Sequence, residues 1–95
     1  MSVLSPITSA SLEHAVGVGS AVFGASMLAG SYYAFVSTTD CWIQQGATPT
    51  ATAGAGSMFV PAKTVWFLDG AAGADLAVIQ DTAGGKASLT RCLKY

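Results

Sequence analysis

Ser31-Tyr32-Tyr33-Ala34-Phe35-Val36-Ser37, the short step Thr38-Thr39-Asp40, then Cys41-Trp42-Ile43-Gln44-Gln45 is the stretch on which the fold class turns. Its first run is rich in aromatic and β-branched residues, which suit a pleated, half-buried surface. In the second, strand alternation puts Cys41 and Ile43 on one face and Trp42 and Gln44 on the other. Two short strands separated by a three-residue step are predicted.

The same pattern of short apolar runs between turn-rich residues extends outward on both sides. Upstream, residues 16–27 form an Ala/Gly/Val run read as one strand or a broken pair, ending in a turn at Ala29-Gly30. Downstream, Gly46-Ala-Thr-Pro-Thr-Ala-Thr-Ala-Gly-Ala-Gly-Ser57 holds nothing large enough to anchor a core, and is expected to be an exposed, mobile loop. Met58-Phe-Val60 and Lys63-Thr-Val-Trp-Phe-Leu68 follow, separated by Pro61 as an edge or turn residue. Asp69-Gly70 reads as a hairpin signal. Asp75-Leu-Ala-Val-Ile-Gln80 and Lys86-Ala-Ser-Leu-Thr-Arg91 read as an antiparallel pair around Ala83-Gly84-Gly85. Six or seven short strands without a helix predict an all-β fold, a small antiparallel β-sandwich or barrel. Residues 1–12 are Ser/Thr-rich around Pro6 and read as an extended N-terminal arm, leaving residues 13–95 as a single β-domain.

Ninety-five residues allow one domain. Only 9% of them are charged, against about 25% in an ordinary soluble domain. A small chain with so few charges is expected to bury part of its surface against other chains. Trp66 and Phe67, adjacent on one strand, are expected on opposite faces and both largely buried, one in the core and one against another chain or layer. Runs that are apolar on both faces, such as residues 32–36, point the same way. With a net charge of −1 and basic residues scattered at Lys63, Lys86, Arg91 and Lys94, there is no footprint for nucleic acid. Residues 15–39 carry no charge, yet glycines and serines interrupt them and no Lys or Arg flanks them, so no membrane span is expected. The first fourteen residues lack the basic start of a signal peptide.

The residues offer no catalytic constellation. His14 is the sole histidine and Glu13 the sole glutamate, too few for a nucleophile–base pair or a zinc site. Asp40, Asp69, Asp75 and Asp81 each adjoin a turn, where aspartate serves the backbone. Gly84-Gly85-Lys86 lacks the spacing of a phosphate loop. Cys41 and Cys92 are expected as half-buried thiols, with a disulfide open to them if their strands are neighbours. No catalytic residue, cofactor or metal ligand is assigned. Trp42 and Trp66 are read as packing or interface anchors in preference to a sugar-stacking platform.

Ser37-Thr-Thr-Asp-Cys-Trp-Ile43, Gly46-Ala-Thr-Pro-Thr-Ala51, Ser57-Met-Phe-Val-Pro-Ala62 and Leu76-Ala-Val-Ile-Gln80 together resemble short structural proteins of tailed bacteriophages and prophages. The resemblance spans roughly residues 32–90 and excludes the arm. It implies a non-enzymatic virion protein on the capsid surface, a decoration or cement protein bound to the major capsid protein and associating as a dimer or trimer. It carries over no residue roles. Interface residues are expected at Val3, Leu4, Ile7 and Leu12 on the arm and at Tyr32, Tyr33, Trp42 and Trp66 on the domain. Alternatives are a head–tail connector, tail or fibre component, a carbohydrate- or receptor-binding module, and a single-span membrane protein.

Overall fold

A computed structural model describes the backbone of residues 4–25, 27–54 and 56–94, and the side chains of 11–25, 27–54 and 56–92. The chain is all-β, and its described residues form eight strands: β1 (Leu4–Val16), β2 (Ala21–Val22), β3 (Tyr32–Ser37), β4 (Cys41–Gly46), β5 (Met58–Val60), β6 (Trp66–Asp69), β7 (Asp75–Gln80) and β8 (Gly85–Lys94). They form two antiparallel four-stranded sheets, ordered β1-β8-β3-β6 and β2-β7-β4-β5.

The pairings show how the chain gets there. β1 pairs with β8, β2 with β7, β3 with β6 and β4 with β5, all antiparallel. The molecule is therefore one long ribbon, strands 1–4 running out and 5–8 running back, with residues 47–57 as its central turn. Rolling that ribbon brings β8 onto β3 and β7 onto β4, which completes both sheets. This is the jelly-roll arrangement of antiparallel sandwiches.

That topology corrects two local expectations. Asp69-Gly70 does not close a hairpin, because β6 and β7 lie in different sheets. Nor do 75–80 and 86–91 pair across 83–85: β7 pairs with β4 and β2, whereas β8 pairs with β1 and β3. In a rolled ribbon most connections cross between layers, so a local turn signal marks a corner instead of a hairpin. The 16–27 run resolves into the end of β1, the two-residue β2 and an irregular segment. Gly30, at φ 76°, makes the turn before β3.

The stretch expected as an arm is extended from Leu4 and pairs with β8. Pairing passes through Ser11↔Thr90, Leu12↔Leu89 and Glu13↔Ser88 without a break, so residue 12 is not the end of an element. Residues 1–3 lie outside the described part.

Phe35, Leu89, Val78, Leu76, Val60, Ile43, Met27 and Cys41 fill the interior between the sheets. Each large side chain so buried contributes about 1.5–3 kcal/mol. The alternation read from residues 41–45 holds, with Cys41 and Ile43 buried and Trp42 and Gln44 on the outer face. Three corners are tied by side chains. Asp75 accepts N–H bonds from Gly24, Ala25 and Leu76 at 3.0, 3.0 and 2.8 Å. Asp40 accepts that of Ala62 at 2.7 Å. The central turn is held too: Ala51 is buried and its N–H donates to Ser20 Oγ at 2.8 Å. A residue as small as alanine thus anchors a segment expected to be free of the core.

Candidate interaction surface

Antiparallel neighbours directly opposite each other share a face. Opposite Phe35, Trp66 therefore lies on the core-facing side of β6, while Phe67, opposite Ala34, lies on the outer side. The two rings do point to opposite faces. Neither is buried: Val65, Trp66 and Phe67 are 52%, 43% and 55% exposed. This corrects the expectation of a core ring at this site. β6 is a sheet edge with β3 as its sole neighbour, so little of the opposing layer covers Trp66.

The second sheet ends with the short strand β5. On its outer face the register aligns Phe59, Trp42 and Ile79 across three strands, then Gln44, Ala77 and Val22. Phe59 meets Trp42 edge to face at 5.2 Å and 63°, a favoured aromatic geometry. The Trp42 indole N–H donates to Asp81 Oδ1 at 3.0 Å. Its polar edge is thus satisfied inside the protein, while Phe59 and Val22 are exposed. Exposed apolar side chains accordingly mark both sheet edges: an apolar strip of Val65, Trp66 and Phe67 at β6, and Phe59 beside Trp42 on the β5 side.

The remaining candidates scatter. Tyr33 is 6% exposed and belongs to the core, its hydroxyl accepting the Leu28 N–H at 3.0 Å. Tyr32 is half-buried on the outer face of the first sheet, opposite Asp69 and Cys92. Apart from Phe67, that face carries small and medium side chains, with Ser88, Thr90, Ala34 and Val36 in its rows and Thr90 Oγ1 donating to Ser11 Oγ at 2.9 Å. Leu12 sits exposed on β1. Leu4 and Ile7 are in β1 without described side chains, and Val3 lies outside the described residues. Val65 belongs to the two-sided apolar run 65–68 expected to be covered by another chain, whereas Phe59 carries no such expectation. Their exposure follows from β5 and β6 being edge strands, which Pro61 signals locally for β5 and nothing signals for β6.

The polar groups are mostly engaged by the fold. His14 Nδ1 donates to the Ala15 carbonyl at 2.8 Å and its ring abuts Phe23. Lys86 and Glu13 pair at 3.7 Å on the surface, where such a contact contributes little. With Lys63 they rim a recess over Val36 and Ala87. Cys41 and Cys92 are free, buried and in different sheets. Burial pushes the Cys41 thiol above its ordinary value; a Ser37 hydrogen bond partly opposes this and Asp40 adds to it. Among the described residues, no three His, Cys, Asp or Glu side chains converge as a metal-binding group. None of the described residues forms a helix long and apolar enough to cross a membrane.

Compared with known protein families, with curated proteins and with solved structures, the chain matches none.

Proposed function

We propose that the chain is a non-enzymatic virion subunit of a tailed bacteriophage, a capsid decoration or cement protein that binds the major capsid protein and copies of itself. The observation that carries this reading is the run Val65-Trp66-Phe67, half exposed where the edge strand β6 begins. Single apolar side chains are ordinary on a monomer, but an uncharged aromatic run on an open sheet edge invites a partner. Cover by a neighbour removes that surface from water and fills the unpaired side of β6. A shell that binds many such copies gains stability by mass action.

The rolled-ribbon topology supports the reading, since viral shell proteins use it; lectins use it as well, and a fold alone does not choose between them. A carbohydrate- or receptor-binding module is therefore the second reading, favoured by the Trp42–Phe59 pair on an outer face. Trp42 has already given its indole N–H to Asp81, which leaves that pair better suited to packing than to a polyhydroxylated ligand.

The test is sedimentation with assembled shells of the major capsid protein encoded in the same genome. The protein is expected to co-sediment at a fixed ratio to capsomers, and a Trp66→Ser/Phe67→Ser double variant to remain in the supernatant. Wild-type protein that stays in the supernatant and sediments instead with connector or tail particles would reassign its station in the virion. Binding to neither, together with quenching of tryptophan fluorescence by a sugar, would favour the second reading.

A further inference from the structure

A second opening lies away from the apolar strip, between β1, β8, the start of β3 and the 23–30 connection. It is a recess of about 320 Å³ walled by Leu12, Leu28, Tyr33, Leu89 and Arg91, with residues 24–25 closing one side. Its origin is legible in the strand register. Pro6 pairs with Cys92 but Ser11 pairs with Thr90, so four residues of β1, 7–10, stand opposite Arg91 alone. A bulge of this kind bends the strand away and re-aims the side chains beside it.

Arg91 is the unusual member. Opposite Tyr33 on the β3 side, it shares the core-facing row with that ring, two places along from the buried pair Phe35 and Leu89. Its Nε is buried and has no hydrogen-bond partner among the described residues. Among the described residues, the ion pair is Lys86 with Glu13, not one made by Arg91. The nearby Asp75 carboxylate is occupied by the N–H groups of Gly24, Ala25 and Leu76. A guanidinium donor taken out of water without an acceptor is costly, and an anion brought against the part of the guanidinium that lines the recess offsets that cost.

We infer that this recess binds an aliphatic monocarboxylate, its chain against Leu12, Leu28 and Leu89 and its carboxylate on the Arg91 guanidinium. The volume sits at the lower end of the roughly 300–1,000 Å³ of small-molecule sites, which suits a ligand of about ten non-hydrogen atoms. The walls require an apolar body. One guanidinium, with Lys63 and Lys86 lining a different recess, balances a single negative charge and not two. Arginine's planar fork matches a carboxylate with two parallel hydrogen bonds.

The experiment titrates the full chain with octanoate and, in parallel, with octanol, following the Arg91 Nε–H resonance and the Leu12, Leu28 and Leu89 methyls by NMR. Octanoate is expected to saturate with Kd on the order of 1 mM or tighter, a modest efficiency for its size. It should shift both sets of signals, with octanol at least about tenfold weaker, the loss of a charge-assisted bond. Arg91→Gln should lose the difference between the two ligands, and Arg91→Lys should restore part of it. Equal binding of octanol and octanoate by the wild-type protein would overturn the inference without needing any variant. So would the absence of shifts at about ten times that concentration, or unchanged octanoate affinity in a folded Arg91→Gln protein.

Discussion

The hydroxyl of Tyr33 accepts the backbone N–H of Leu28 at 3.0 Å, five residues upstream, while its ring sits in the core. One side chain thus fixes both the entry to β3 and the loop before it. A tyrosine bonded back to backbone a few residues upstream is a known brace of sandwich corners. Tyr33→Phe keeps the ring and leaves the Leu28 N–H without its partner, so it is expected to cost about 1–2 kcal/mol. Chemical denaturation checks this; a midpoint equal to the wild type's would mean that water replaces the hydroxyl at no loss.

Gly70 sits at the corner between β6 and β7, where its N–H donates to Ser31 O at 2.8 Å. A Cβ there would collide with the Leu28 carbonyl and come within 2.8 Å of the Tyr33 ring. The constraint is space, since Gly70 is not among the positive-φ residues. Gly70→Ala is expected to lose roughly 2–3 kcal/mol, in the range of overpacked interiors. Unchanged thermal unfolding would show that the corner gives way freely.

Cys41 couples stability to alkaline pH. Its folded thiol titrates above the ordinary 9.0 because burial disfavours the thiolate. Below that value both folded and unfolded states hold the proton and the thiol has no effect on stability. As pH rises past it, the unfolded chain loses its proton first, and stability falls until the folded pKa is passed. Unfolding midpoints measured on either side of pH 9.0 should therefore drop for the wild type more than for Cys41→Ala. Parallel pH curves for the two proteins would assign the alkaline loss to other groups.

Much of the fold is legible in the residues because strands 3, 4, 5 and 7 are marked locally. Met58-Phe-Val60 and Asp75-Leu-Ala-Val-Ile-Gln80 stand as read, and the 41–45 alternation states which face is buried. Pairing is not legible in the same way. Asp69-Gly70 satisfies a hairpin rule that acts over four residues, whereas β1 and β8 find each other across the whole chain. Local chemistry chooses a turn, but the closing of the ribbon chooses the partner. The candidate surface divides along the same line. Trp66 is conspicuous as a large aromatic residue, yet its exposure follows from β6 being an edge. Arg91 has no local signal at all, because the bulge that isolates it lies some eighty residues earlier in β1.

If the apolar strip serves association, its loss should leave the fold intact. Trp66 and Phe67 bury only part of their surface in the single chain, so Trp66→Ser/Phe67→Ser is expected to change stability by about 1 kcal/mol or less, as surface substitutions do. On that proposal the wild type scatters light as a dimer or trimer and the variant as a monomer at matched concentration. A wild type that is monomeric at all concentrations would remove self-association from the proposal and leave the shell as the sole partner.

The N-terminal segment offers the sharpest choice between two roles. As an arm that acts only in assembly, residues 1–12 could be removed with no effect on the free protein. Their backbone from Leu4 is instead paired to β8, on both sides of the bulge. Removing them strips one whole side of the distal half of β8 and uncovers Leu89, which is fully buried. Several ladder hydrogen bonds at about 0.5–1.5 kcal/mol each are lost, so truncation is expected to cost at least roughly 2 kcal/mol. It also leaves a long unpaired edge, which should promote edge-to-edge association. Calorimetry of the truncated and full-length chains decides the matter. A lowered, concentration-dependent transition identifies residues 4–12 as part of the sheet. An unchanged transition, with attachment to shells abolished, identifies them as an assembly arm that lies along β8 until a neighbour takes it.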